Sequence, residues 1–206
     1  QFKAQPFSIA PRLETPEAQH KALFFIAGFT AFCAFGAFSL FASLSPSFVK
    51  DLIPWHGPLV SGAAISSILL ISALVQFFAK DLTAAKSLTL GLMTLLLSFI
   101  LLGLCMSMQW STLFFISDIL VGVGHGLGLL GAFGLIHQMT SADNRAAVMS
   151  TYLFIGYLGT IVPIIAVGYL ADHFGLTIGV LGFCIGVGLL CIALLVWYKK
   201  ISSLKK

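Results

Sequence analysis

Six long apolar stretches, separated by short polar segments, are the feature that most constrains this chain. They lie at roughly 22–45, 57–79, 87–108, 110–136, 147–171 and 176–198. A helix of about 20 apolar residues crosses the ~30 Å hydrocarbon core of a bilayer, and within that core a single segment must satisfy its own backbone hydrogen bonds. We therefore predict an all-α, polytopic membrane protein. Its organisation would be a cytoplasmic loop or linker at 1–21, a bundle of six transmembrane helices at 22–198 and a basic cytoplasmic tail at 199–206.

The composition excludes a soluble domain. Hydrophobic residues make up 59% of the chain and charged residues only 9%, whereas a soluble domain carries about 25% charged residues. The net charge of +4 does not indicate nucleic acid, because the basic residues cluster at the ends of the apolar stretches. The four cysteines lie inside those stretches without a Cys-x-x-Cys pair, so we predict no metal site and no cofactor.

The distribution of basic residues predicts the orientation in the membrane. Ten of the eleven Lys and Arg residues fall on the side of the N-terminus, and Lys50 alone falls on the opposite side. Positive residues stay on the cytoplasmic side of a membrane. We therefore expect a multi-pass protein of the cytoplasmic membrane (the plasma or inner membrane) with both termini in the cytoplasm. The ten residues are Lys3, Arg12, Lys21, Lys80, Lys86, Arg145, Lys199, Lys200, Lys205 and Lys206.

Asp118 is the only Asp, Glu, Lys or Arg in the middle of an apolar stretch. An ionisable residue at membrane depth is costly and marks a functional site by default. His125 follows seven residues later, about 700° of helical rotation, and so lies within about 20° of the same face. We predict Asp118 and His125 as candidates for substrate binding or proton coupling. The alternative is structural, because Asp118 could simply hydrogen-bond a neighbouring helix or lie near the outer interface, ~10 Å from the helix start.

Glycines surround this pair and recur in the fifth stretch. Gly122, Gly124 and Gly126 would let a neighbouring backbone approach closely. Gly156, Gly159 and Pro163 predict a fifth helix that packs closely and bends, since Pro163 removes a backbone hydrogen bond. We assign these six residues to helix packing or gating. Arg145 is predicted to anchor the cytoplasmic end of the fifth helix.

Small and hydroxylated residues mark the second stretch, among them Ser61, Ser66, Ser67 and Ser72. Such residues let helices approach and hydrogen-bond across their interface. Close packing is the favoured interpretation, and a hydrated cavity wall is the alternative.

The succession of spans, loops and turns resembles the C-terminal six-helix half of a major facilitator superfamily transporter. In that family the fourth helix of each half often carries an Arg-x-x-Gln-Gly-x-Gly pattern. This chain has Gly122 and Gly124 in that frame, with Asp118 where the family has Arg. Gly156, Gly159 and Pro163 resemble the family's Gly- and Pro-bearing fifth helix, without its Gly-Pro pair.

The resemblance implies alternating access, with a substrate held near the bilayer midplane between two six-helix bundles. The partners would be membrane lipid, a small organic solute or drug, and an N-terminal six-helix half of the same polypeptide or a second copy. A chain that begins with Gln1 is expected to be a fragment or a processed product. We predict half of a secondary active transporter, with Asp118 as the candidate for proton coupling.

The sequence leaves two other functions to consider. A stand-alone six-span protein that acts as a homodimer or as a binding or assembly partner is the alternative. An intramembrane enzyme is disfavoured, although Ser61, Ser117 and His125 are available, because neither Gly-x-Ser-x-Gly nor His-x-x-x-His occurs. We therefore predict no enzymatic activity.

Overall fold

A computed structural model of the chain describes residues 13–52 and 58–204. A short 3₁₀ turn at Ala18–His20 precedes six α-helices, and the described residues contain no strand. The predicted all-α architecture is confirmed. The helices are α1 (Lys21–Leu52), α2 (Pro58–Phe78), α3 (Ala84–Met108), α4 (Ser111–Met139), α5 (Arg145–Phe174) and α6 (Leu176–Leu204).

Within residues 13–52 and 58–204, five segments are long and apolar enough to cross a membrane. They are Ala18–Ser43, Ala84–Met108, Ser111–Met139, Arg145–Phe174 and Leu176–Ser203, and Gly62–Phe78 within α2 is a shorter apolar helix. The chain is therefore a multi-pass membrane protein. The second predicted span, at 57–79, corresponds to α2, and the described apolar part of that helix is shorter than the other five segments.

Two helix ends differ from the predicted boundaries. The first span was predicted to end near residue 45, yet α1 continues through Pro46 to Leu52. The tail predicted at 199–206 is helical as far as Leu204. An apolar stretch marks only the part of a helix that lies in hydrocarbon, whereas the backbone hydrogen bonds can extend the helix beyond it.

Helix α4 lies at the centre of the bundle and packs against α1, α2 and α3. The antiparallel contact with α3 is backbone to backbone. A Cβ atom built on Gly91 would lie 2.6 Å from Gly128 Cα, and one built on Gly131 would lie 2.6 Å from Leu88 Cα. Such contacts hold helices together in hydrocarbon, where packing replaces the hydrophobic effect as the driving force.

Helix α1 is the second central helix of the bundle, and it packs against both α4 and α5. It runs parallel to α5, and a Cβ atom on Gly159 would lie 2.7 Å from Phe32 Cα. Helix α6 packs against α3, α5 and α1. In its contact with α3, Phe99 and Phe183 meet edge to face with centroids 5.5 Å apart. Helices α2 and α5 lie at the periphery, and each leaves a broad apolar face exposed.

Two of the turns are very short. Gln109 and Trp110 alone join α3 to α4, and Gln109 adopts a left-handed conformation with φ 53°. Gly175 alone joins α5 to α6 with φ 89° and ψ 155°, a conformation open in practice only to glycine. Both turns lie at the end of the bundle opposite the start of α1.

Candidate functional site

Two ionisable side chains of α4 are buried inside the bundle. Asp118 and His125 are each 5% exposed, and both contact serines of α2. The Oγ atom of Ser67 lies 2.6 Å from Asp118 Oδ2, and the Oγ atom of Ser72 lies 2.9 Å from His125 Nδ1. The seven-residue spacing thus brings both groups to the same neighbouring helix. Since Ser67 and Ser72 follow one another along α2 in the same order as Asp118 and His125 along α4, the two helices run parallel.

The hydrogen bonds around Asp118 are incomplete. Ser67 Oγ also lies 2.7 Å from the carbonyl oxygen of Ala64, but one hydroxyl has a single hydrogen to donate. With an ionised Asp118, Ser67 donates its hydrogen to Oδ2 and no longer to the Ala64 carbonyl; with a protonated Asp118, Oδ2 donates to Ser67 and both hydrogen bonds form. The second oxygen, Oδ1, is buried without a hydrogen-bond partner. Burying an oxygen without a hydrogen-bond partner costs much less free energy for a neutral carboxyl group than for a carboxylate.

Asp118 bonds α2 through only one of its two carboxyl oxygens. That bond is the contact with a neighbouring helix that a structural role requires. The second oxygen takes no part in it. Asp118 is also the eighth residue of α4, so it lies about 10 Å along the helix from its start.

His125 belongs to a longer chain of hydrogen bonds. Gln76 Nε2 donates to Ser72 Oγ over 3.2 Å, which leaves the Ser72 hydrogen for His125 Nδ1. In that arrangement the ring hydrogen of neutral His125 resides on Nε2. The imidazole lies 5.7 Å from the ring of Phe35 and 6.1 Å from that of Phe38, between centroids. Phe35 in turn stacks on the exposed Tyr157, with centroids 5.5 Å apart.

The glycines of α4 divide between two neighbours. A Cβ atom on Gly122 would lie 2.8 Å from Ile71 Cβ, and one on Gly126 would lie 2.6 Å from the carbonyl oxygen of Ser72. These two glycines let α2 approach closely enough for its serines to reach Asp118 and His125. Gly124 faces α3 instead, since its Cβ would lie 2.8 Å from Leu95 Cγ.

The predicted packing residues of α5 face α1. A Cβ atom on Gly156 would lie 2.9 Å from the Phe35 ring. Pro163 lies inside a continuous α5 and cannot donate to the carbonyl of Gly159, four residues earlier. That carbonyl lies beside Gly36, where a side chain would be 3.0 Å from it. Pro163 also lines an apolar cavity of about 250 Å³ with Phe32 and residues of α6.

The remaining predicted residues lie apart from this site. Arg145 begins α5, and its Nε donates to Thr140 Oγ1 over 3.4 Å. Ser117, a nucleophile candidate, donates its hydroxyl to the carbonyl of Ser98 over 2.9 Å. The Ser61 side chain lies outside the described residues. Within the described ranges no group of three or more His, Cys, Asp or Glu residues could hold a metal ion.

Sequence reasoning missed Gln76 and Tyr152. Tyr152 is fully buried on α5, its ring lies 5.2 Å from that of Phe133, and its hydroxyl has no hydrogen-bond partner. Nothing in the spacing of these residues distinguishes them from ordinary packing residues. Ser67 and Ser72 were predicted to pack or hydrogen-bond between helices, but their partners Asp118 and His125 were not predicted.

No protein-family model, curated protein or solved structure matches this chain.

Proposed function

We propose that this chain is one six-helix half of a secondary active transporter that moves a small organic solute by alternating access. The observation that carries the proposal is the buried carboxyl group of Asp118, with one oxygen bonded to Ser67 of α2 and the other unpartnered. Ionisable residues inside multi-pass proteins mark substrate or proton pathways by default.

The hydrogen-bond geometry suggests how Asp118 would couple a proton to a substrate. When the carboxyl group loses its proton, the Ser67 hydrogen must turn from the Ala64 carbonyl to Oδ2. The charged Oδ1 is then buried without a donor, which is strongly unfavourable. A positively charged solute or a water-filled opening beside Oδ1 would relieve that cost. Proton release would therefore favour either solute binding or separation of α2 from α4.

The proposed orientation follows from the helix directions. Lys21, Lys80, Lys86, Arg145 and Lys199 lie at the end of the bundle where α1 begins, and Lys50 lies at the opposite end. By the positive-inside rule the first end would face the cytoplasm. The membrane would be the plasma or inner membrane. The missing partner would be an N-terminal six-helix half or a second copy.

The test is proton flux driven by solute. The full-length protein is reconstituted into liposomes that contain a pH-sensitive dye, and a panel of small organic cations is added outside. We expect at least one cation to move protons, and Asp118→Asn to abolish that movement. Ser117→Ala is the control, because Ser117 is the adjacent buried polar residue and bonds only a backbone carbonyl. Proton movement that is equal in Asp118→Asn and wild type would remove Asp118 from the mechanism.

The exposed faces of α2 and α5 support a second candidate, a six-span protein that pairs with itself or another protein. Gly62, Ala63 and Ser66 are exposed on α2, and nothing lies within 4 Å of a Cβ atom built on Gly62. Small exposed residues suit a second helix. Disulfide cross-linking of Ser66→Cys between two copies in the native membrane would favour this candidate over an intramolecular partner.

A further inference from the structure

A groove between α3 and α6 runs along the side of the bundle away from Asp118. Its inner section has a volume of about 520 Å³, and Thr89, Met93, Leu195, Tyr198, Lys199 and two serines line it. Its outer section, of about 430 Å³, begins one turn further along both helices with Leu96 and Ile192. The two sections therefore form one surface.

The two sections differ in chemistry. The outer section is almost wholly apolar, and its rim residues Ile100, Ile185 and Leu189 are 52–62% exposed. The inner section contains an ammonium group, a phenol and hydroxyls. Thr89 and Ser203 donate their hydroxyls to carbonyls of their own helices, so Lys199, Tyr198 and Ser202 are the lining groups with hydrogens to offer a ligand.

The charge at the inner section is positive. Lys199 lines it, and the exposed Lys86 lies seven residues before Met93, within about 20° of the same face of α3. None of the described residues that line either section is acidic. A basic pocket between transmembrane helices at the membrane surface suits an anionic lipid headgroup.

The dimensions also suit a lipid. Eleven residues separate Thr89 from Ile100, which is about 16 Å of helix. That distance is close to half of the ~30 Å hydrocarbon core, the depth that one leaflet occupies. Gly103 and Gly188 deepen the outer section, because neither carries a side chain into it.

We propose that the α3–α6 groove binds one anionic glycerophospholipid from the leaflet on the Lys199 side. The phosphate lies against Lys199, Tyr198 and Ser202, and an acyl chain follows the apolar section past Leu96 and Gly188. This site does not depend on the proposed transport activity.

Native mass spectrometry of the purified full-length protein tests the proposal. The protein, in a mild non-ionic detergent, is incubated with palmitoyl-oleoyl phosphatidylglycerol or with the corresponding phosphatidylcholine. We expect one phosphatidylglycerol molecule to be retained in preference to phosphatidylcholine. Lys199→Gln should weaken retention about fivefold, since one lysine near a lipid headgroup contributes about 1 kcal/mol. Lys200→Gln removes the same charge from the adjacent position, which does not line the groove, and should leave retention unchanged.

A second pair of variants tests the acyl-chain section. Gly188→Leu fills it, and the nearest atom to the added Cβ, Leu96 Cδ1, is 3.6 Å away, which is an ordinary van der Waals contact. We expect it to abolish retention. Gly186→Leu is the matched control, because nothing lies within 4 Å of its Cβ and it lines the other cavity, near Pro163.

Three outcomes would overturn the proposal. One is equal retention of phosphatidylcholine. Another is equal loss in Lys199→Gln and Lys200→Gln. The third is retention that survives Gly188→Leu but is displaced by inorganic phosphate, which would show a site for free anions instead of a lipid.

Discussion

Replacing Gly131 by alanine tests one of the closest helix contacts among the described residues. The added Cβ atom would lie 2.6 Å from Leu88 Cα and 2.7 Å from Leu88 Cβ, whereas ordinary Cβ contacts begin near 3.4 Å. The obstacle is backbone, which cannot turn aside as a flexible side chain can. Helices α3 and α4 must therefore separate locally by about 0.8 Å, the difference between those distances.

The expected loss follows from two opposed effects. Overpacking of this kind costs about 1–3 kcal/mol, and separation also forfeits dispersion contacts along the interface. Alanine recovers up to about 1 kcal/mol of helix propensity. A net destabilisation of about 1–2 kcal/mol results. For a chain of this length each kcal/mol lowers Tm by about 2–4 °C, so we expect a fall of about 2–8 °C.

The buried cysteines supply the assay. Cys33, Cys105, Cys184 and Cys191 are all free and buried, so a dye that fluoresces on reaction with thiols reports unfolding during a temperature ramp. Gly168→Ala is the control, because Gly168 is exposed in mid-helix and nothing lies within 4 Å of its added Cβ. That variant should leave Tm unchanged or raise it. A Tm for Gly131→Ala that matches the Gly168→Ala value would refute the backbone contact between α3 and α4.

Two further substitutions probe buried polar groups with the same thermal assay. Tyr152→Phe removes a buried hydroxyl without a partner and should maintain or raise Tm, because the hydroxyl's desolvation cost of about 1–3 kcal/mol disappears; a clear fall in Tm would mean that the hydroxyl has a bonding partner. Ser72→Ala deprives His125 Nδ1 of its hydrogen bond and should lower Tm by an amount corresponding to about 1–3 kcal/mol. Ser66→Ala, at an exposed position of the same helix, should not, and equal behaviour of the two serine variants would contradict the Ser72–His125 bond.

Much of the architecture follows from the length and spacing of apolar residues alone. The stretches that become α3, α4 and α5 have no alternative but helices in a bilayer, and the structure confirms an all-α multi-pass protein. The spacing of Asp118 and His125 was sufficient to place them on one face of α4. It could not show which helix that face meets, because the choice of neighbour depends on packing between segments distant in the chain.

The hydrogen-bonding partners of Asp118 and His125 could not be predicted from the sequence for the same reason. Ser67 has the same local sequence character as Ser66, yet one bonds Asp118 and the other is exposed. The two serines differ only in the direction in which α2 points their side chains, towards α4 for Ser67 and away from the bundle for Ser66. Tyr152 is likewise one aromatic residue among many in an apolar helix, and its unpartnered hydroxyl becomes visible only when its surroundings are known.

The single-residue link at Gly175 bears on how the chain enters a membrane. Because α5 ends at Phe174 and α6 begins at Leu176, no loop is long enough to be translocated separately between them. The two helices would therefore integrate together, as a hairpin, with Arg145 and Lys199 on one and the same side of the membrane. Biogenesis of the last two spans is then a single event, and a signal that orients α6 also orients α5.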